Sequence, residues 1–342
     1  MRLRLESTSQ LFCFPLDPPL FFRQSLSHFM RIALVVTPPT LHHLRLAAQV
    51  GVTDIVLRYP GTNIERIIEA KNQINALGMN LSIVEGYIPH DAIVHGKSNR
   101  DDQIKDFQTL IRNMGKTGVS ICCYNWMPSD DWTRTSVTTP ERGGALVTAF
   151  KASEEMSNAK VTGIEESALW SNLKYFLDQV IPVAEDSGVK MAMHPDDPPL
   201  KVFSGNAQIM NSPENFERLF HLNLSPANGI CFCQGTFAEM GVEIPQTIQR
   251  LASRIHYVHF RDIVGTAADF RETFHDNGIT DMARAMKTYY ECGVSVPARP
   301  DHVPTLDGEE NDTPGYKMWG RLFAVGYMRG LMQATEHSLN AS

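Results

Sequence analysis

Four residues able to bind a metal ion, His194, Cys233, His259 and Asp301, each stand at or beside the end of a short apolar run. The runs are Val189–His194, Gly229–Cys233, Ile255–Phe260 and Val296–Arg299. Two imidazoles, a thiolate and a carboxylate make a mixed N/S/O donor set. Such a set suits a borderline first-row divalent ion and suits Mg²⁺ or Ca²⁺ poorly. Ligands so far apart in the chain have no local signature, so the reading depends on the fold bringing them together. Neighbouring strands lie about 4.8 Å apart, close enough for their end residues to converge on one ion. Within each run the period of two selects the candidate. Cys231 and Cys233 face one side, with Cys233 nearer the end, whereas His256 and His259 face opposite sides, which leaves His259. A single strand histidine is commonly a hydrogen-bonded structural residue, but four coincident strand ends argue against that. Cys122, Cys123, Cys231 and Cys292 read as small buried hydrophobes.

The same ends carry further polar groups. Tyr124-Asn125-Trp126-Met127-Pro128 closes an earlier run and leads to Asp131-Trp132-Thr133-Arg134-Thr135. Arg261-Asp262 follows His259-Phe260, and His302 follows Asp301. Downstream, the acidic stretch Asp307–Asp312 leads to Thr313-Pro314-Gly315-Tyr316. It reads either as a solvated excursion or as a lid that returns an acid or base to the site. Tyr316 is then either that group or an aromatic packed on the last helix.

The elements that must hold these residues alternate regularly from Arg31 onward. Strand-like runs are Arg31–Val36, Asp54–Leu57, Asn80–Glu85, Val119–Tyr124 and the four already named. Helical spacing marks Leu41–Val50, Ile64–Leu77, Arg100–Lys116, Glu165–Ser187, Ser212–Phe220, Ile244–Ser253, Thr280–Glu291 and Met318–Gln333. Such alternation builds a parallel sheet. Eight units predict an α/β fold, a single (β/α)8 TIM barrel over residues 30–336, with its chemistry at the C-terminal strand ends. A doubly wound open sheet is disfavoured, because Thr37-Pro38-Pro39 stands where a glycine-rich phosphate turn would follow the first strand.

Residues 1–29 are broken by Pro15, Pro18 and Pro19 and read as a disordered extension or an upstream start before Met30, and 337–342 as a tail. The chain of 342 residues is 43% hydrophobic, which supplies a large core. Its net charge of −7 argues against a nucleic-acid partner. It has no run of the ~18 apolar residues that a membrane helix needs. Six cysteines are too sparse for a disulfide scaffold, so the expected setting is cytoplasmic.

Taken together, these segments resemble the mannonate dehydratase family, which has the xylose-isomerase-like barrel. The resemblance runs from about Met30 to Ala334. It rests on Ile111-Arg112-Asn113, Cys123 to Pro128, Asp131 to Thr135, His194 to Pro199, Asn228-Gly229, Arg299-Pro300-Asp301-His302 and Pro314-Gly315-Tyr316. It implies a Mn²⁺- or Fe²⁺-dependent hydro-lyase of hexuronate catabolism that converts D-mannonate to 2-keto-3-deoxy-D-gluconate and water. It also implies His194, Cys233, His259 and Asp301 as metal ligands, and Tyr316 and His302 as the acid and base in either order. Asn125, Arg134 and Arg261 are the residues expected to hold the sugar acid, Arg134 by clamping its carboxylate. Barrels of this kind often pair, so a homodimer is the assembly to test for.

The sequence departs from the family's pattern after the first strand, where Val35-Val36-Thr37-Pro38-Pro39 replaces an aromatic-glycine element. It departs again at Cys233-Gln234-Gly235-Thr236 and at Val303. These changes spare the proposed ligands and leave the identity of the sugar acid open. An isomerase or epimerase on the same barrel, and a barrel that binds without turnover, are the alternatives.

Overall fold

The apolar runs are buried on both faces. In the first, Ala33 and Val35 point one way and Ile32 and Leu34 the other, and all four are buried. Strands of this kind need a cover on each side, which a barrel ringed by helices supplies. The computed structural model describes residues 30–129, 132–154 and 161–340. Its strands are β1 (Arg31–Val35), β2 (Asp54–Arg58), β3 (Asn80–Glu85), β4 (Ile121–Tyr124), β5 (Lys190–Met193), β6 (Asn228–Cys233), β7 (Ile255–Phe260) and β8 (Pro297–Pro300). Each pairs in parallel with the next, and β8 pairs with β1 to close the barrel. The alternation of the sequence is thus the (β/α)8 barrel it predicts. Ala33, Val35, Val56, Ile83, Ala192 and Tyr257 are among the residues that fill the interior. The outward set packs under the helices.

Register sets the mouth. Cys233 lies opposite His259, and His259 opposite Arg299, so the ends of β6, β7 and β8 meet side by side. His194 follows β5 and donates its backbone N–H to Tyr124 at the end of β4, 2.7 Å away.

Two features differ from the sequence reading. The stretch between β4 and the helix Glu166–Asp186 contains strands Ser136–Pro140 and Leu146–Lys151. They join the hairpin Ile263–Thr266 and Asp269–Glu272, which follows β7, in a four-stranded antiparallel sheet. Phe150 and Phe270, paired in register with ring centres 5.9 Å apart, form its buried seam. The strands escape a period-two reading because Ser136–Pro140 is mostly exposed and their partners are remote in sequence. Secondly, the last helix runs from Met318 to Asn340, so 337–340 continue that helix and do not form a tail. The expectation for residues 1–29 falls outside the described residues.

Candidate active site

Among the described residues, the ligand atoms of His194, Cys233, His259 and Asp301 all lie within 4.8 Å of one another, at the C-terminal mouth of the barrel. Cys233 Sγ is 3.6 Å from Asp301 Oδ2, and His259 Nδ1 is 3.7 Å from the same oxygen. Burial would raise the Cys233 thiol, but Arg261 and His194 outweigh it and hold the thiol well below its usual range. Asp301 is held down in the same way, against burial, by Arg299, His302 and His259. An anionic sulfur and an anionic carboxylate are the states a metal ion requires.

Neighbouring groups fix the donors. His194 donates Nδ1–H to the Pro195 carbonyl at 2.7 Å, and His259 donates Nε2–H to Glu85 Oε2 at 3.1 Å, which turns Nδ1 toward Asp301. The Thr236 hydroxyl donates to Cys233 Sγ at 3.1 Å. Such outer contacts orient ligands and raise their basicity. Gly235 in this turn has no room for a side chain, since a Cβ would lie 2.4 Å from Arg261 Nη1. Two imidazoles, one thiolate and one carboxylate, oriented and charged in this way, fit a first-row divalent ion.

The mouth opens into a cavity of about 300 Å³ that also reaches Asn125, Trp132, His302 and Tyr316. Here a proton chain is built. His302 donates Nδ1–H to Glu272 Oε1 at 2.6 Å, which leaves Nε2 to accept from the Tyr316 hydroxyl at 3.0 Å. Glu272 comes from the antiparallel sheet, which explains why that sheet sits over the mouth. Trp132 packs beside His302 with ring centres 5.2 Å apart. Burial raises the Tyr316 hydroxyl, opposed by Arg58.

Tyr316 therefore faces the site and does not merely pack on the last helix. Asn125 keeps its place in the cavity wall, with Oδ1 accepting from Met127 N–H at 3.2 Å. Arg134 and Arg261, expected to hold the sugar acid, stand outside the cavity lining. Arg134 donates to Asp197 (2.7 and 3.1 Å), Glu272 (2.6 and 3.2 Å) and the Thr133 carbonyl (2.9 Å). These contacts use all five of its N–H groups. Arg261 is spent on Asp301, Glu239, Asp197 and Thr236. Buried carboxylates need such counter-charges. Replacing Arg134 by Met, at a side chain only 1% exposed, should cost about 3–5 kcal/mol of stability by stranding Asp197 and Glu272, measurable by denaturant unfolding.

Cys123 and Cys231 are buried in the core as expected, and they also stand near a candidate ligand. Both face the barrel interior, with ligand atoms within 4.8 Å of His259. Against burial, hydrogen bonds with Cys231 and His259 bring the Cys123 thiol down to about 6. Cys122 packs outward in the core, as a small hydrophobe should. Sequence reasoning missed Glu85, Glu272, Arg299 and Arg58. Three of these are charged residues at strand ends, a signal that was available; Glu272, on the added sheet, gave none.

A family model described as D-mannonate dehydratase (UxuA) matches residues 37–163 and 155–342. The chain belongs to the mannonate dehydratase family. It is accordingly an enzyme of the lyase class. A relative from Streptococcus pneumoniae (strain 70585), a mannonate dehydratase, is 34% identical over 302 residues, covering 79% of this chain and 82% of that one. The crystal structure of mannonate dehydratase from Streptococcus suis serotype 2 superposes with a TM-score of 0.84 at 32% identity, covering 92% of this chain and 95% of that one. A xylose isomerase domain protein from Planctomyces limnophilus has a TM-score of 0.59 at 12% identity, covering 91% and 99%, and shares the fold alone. Among the described residues, no helix is long and apolar enough to cross a membrane.

Proposed function

We propose that this protein removes water from D-mannonate, or a closely related sugar acid, to give 2-keto-3-deoxy-D-gluconate, using Mn²⁺ or Fe²⁺ held by His194, Cys233, His259 and Asp301. The observation that carries the reading is that His194, His259 and Asp301 of the donor set line one cavity with His302 and Tyr316, while Cys233 and Glu272 stand behind them against Asp301 and His302. A bound divalent ion supplies positive charge against the negative charge that develops beside the substrate carboxylate.

The residues of the chain do the proton work. Passage of the hydroxyl proton from Tyr316 to His302 Nε2 gives a phenolate and an imidazolium, and Glu272 stabilises the latter. Tyr316 then takes the C2 proton. As the C3–O bond breaks, His302 protonates the departing hydroxyl, which leaves as water. Tyr316 is then a phenol and His302 neutral, as at the outset, with the 3.0 Å hydrogen bond between them ready for the next transfer. The resulting enol picks up a proton at C3 and releases one from oxygen as it becomes the ketone. This order makes Tyr316 the base and His302 the acid.

Protein stripped by chelator should lose activity and regain it with Mn²⁺ or Fe²⁺, with product followed by mass spectrometry as a loss of water. Failure to dehydrate any member of an aldonate panel with any first-row metal would contradict the assignment, and an isobaric product would favour the isomerase reading.

A further inference from the structure

An acid substrate needs a cation, and the two arginines expected to provide one are buried in ion pairs. Arg299 is equally committed, to Glu85 at 2.9 and 3.1 Å, Asp301 at 2.6 Å and the Pro300 carbonyl at 3.3 Å. Arg58, the last residue of β2, is different. Its side chain is 25% exposed, it lines the cavity, and Nη1 donates to Glu85 Oε1 at 2.8 Å. Glu85 is shared with Arg299 and His259, so one carboxylate faces several cationic groups and the charge of Arg58 is not cancelled.

The guanidinium is held in place on three sides. Its central carbon lies 5.1 Å from the Tyr316 ring centre and 5.4 Å from that of Tyr87. Gly86, at φ +70°, passes so close that a Cβ there would be 2.7 Å from Nη1. Tyr87 is itself held at φ +56°, a left-handed conformation that costs a tyrosine of order 1–3 kcal/mol and that tends to mark ligand-holding segments.

From this arrangement we infer that Arg58 is the substrate-binding residue that receives the carboxylate of the sugar acid. The inference rests on the dehydratase reading, in which Tyr316 meets the C2 proton. C1 is one bond from C2, so the carboxylate must lie beside the phenol oxygen, where the Arg58 guanidinium stands. From the other direction, Glu85 links Arg58 to the candidate ligand His259, and Arg58 lines the same cavity as His194, His259 and Asp301.

The test compares D-mannonate with D-mannitol, a hexitol of similar shape without the carboxylate, by calorimetry and steady-state kinetics on Mn²⁺-loaded protein. For Arg58→Gln, a charge-assisted contact predicts a loss of affinity for mannonate of roughly 10–100-fold, carried by KM, with binding of mannitol unchanged. Metal content should stay at the wild-type level, since Glu85 keeps Arg299. Arg58→Lys, which keeps the charge without the fork, should recover part of the loss and serves if the Gln variant does not fold. Wild-type KM in either soluble variant, an equal loss for both ligands, or a fall in kcat at constant KM would overturn the assignment. A wild-type protein inert toward every aldonate would instead remove the dehydratase reading on which it rests.

Discussion

Replacing Tyr316 by Phe should lower kcat by about 10²–10⁴-fold while leaving metal content and thermal stability near wild type. The phenol oxygen is the only atom removed, and of its polar partners His302 retains Glu272 on the other side of the ring and Arg58 retains Glu85. The ring itself stays wedged between the guanidinium groups of Arg58 and Arg321, 5.1 and 5.3 Å away, so the fold has little reason to change. Loss of the hydroxyl deletes both the proposed C2 base and the route by which His302 becomes charged. The two roles therefore fail together, and His302→Asn should add little to Tyr316→Phe when the two are combined. A Tyr316→Phe variant with a near-wild-type rate would take the residue out of the chemistry and return it to the alternative of an aromatic packing on the last helix.

The second large effect is expected at the sulfur. In Cys233→Ser the hydroxyl does not ionise near neutral pH, so one negative charge and the softest donor leave the set at once. Metal affinity should fall by well over the roughly 10–100-fold typical of losing an outer-layer partner. Glu85→Gln supplies that comparison within the same protein, since it weakens the hold on His259 and leaves all four donors present. Metal titrations of the two variants should rank wild type first, Glu85→Gln second and Cys233→Ser last. If Cys233→Ser binds Mn²⁺ like wild type, the thiolate is not a ligand, and the low thiol pKa that Arg261 and His194 impose against burial serves some other end.

The four candidate ligands were legible because each ends or follows a strand, and strands were the strongest signal in the chain. The period of two was enough to separate His259 from His256, and the structure places His256 outside the barrel, donating Nδ1–H to the Met191 carbonyl at 2.9 Å. What could not be read was pairing. Arg134 and Arg261 look like anion clamps until Asp197, Glu239 and Glu272 are seen to surround them, and those neighbours come from three other parts of the chain. Glu85 ended a correctly read strand and Arg58 fell one residue beyond the run Asp54–Leu57, and neither stood out, because one charge at the end of an apolar run shows no partner. Glu272 belongs to a sheet whose strands pair across more than a hundred residues, as Phe150 does with Phe270, and local periodicity carries no trace of such contacts. The added sheet matters for function as well as for architecture, since without it His302 would lose the carboxylate that fixes its tautomer.

The proposed chemistry requires a single ion shared by four side chains. Crystals grown with Mn²⁺ and measured at the manganese absorption edge test this directly. The expected map has one anomalous peak at the barrel mouth, within bonding distance of His194, Cys233 Sγ, His259 and Asp301. A peak elsewhere, or one that leaves the sulfur of Cys233 or the carboxylate of Asp301 out of its coordination sphere, would contradict it.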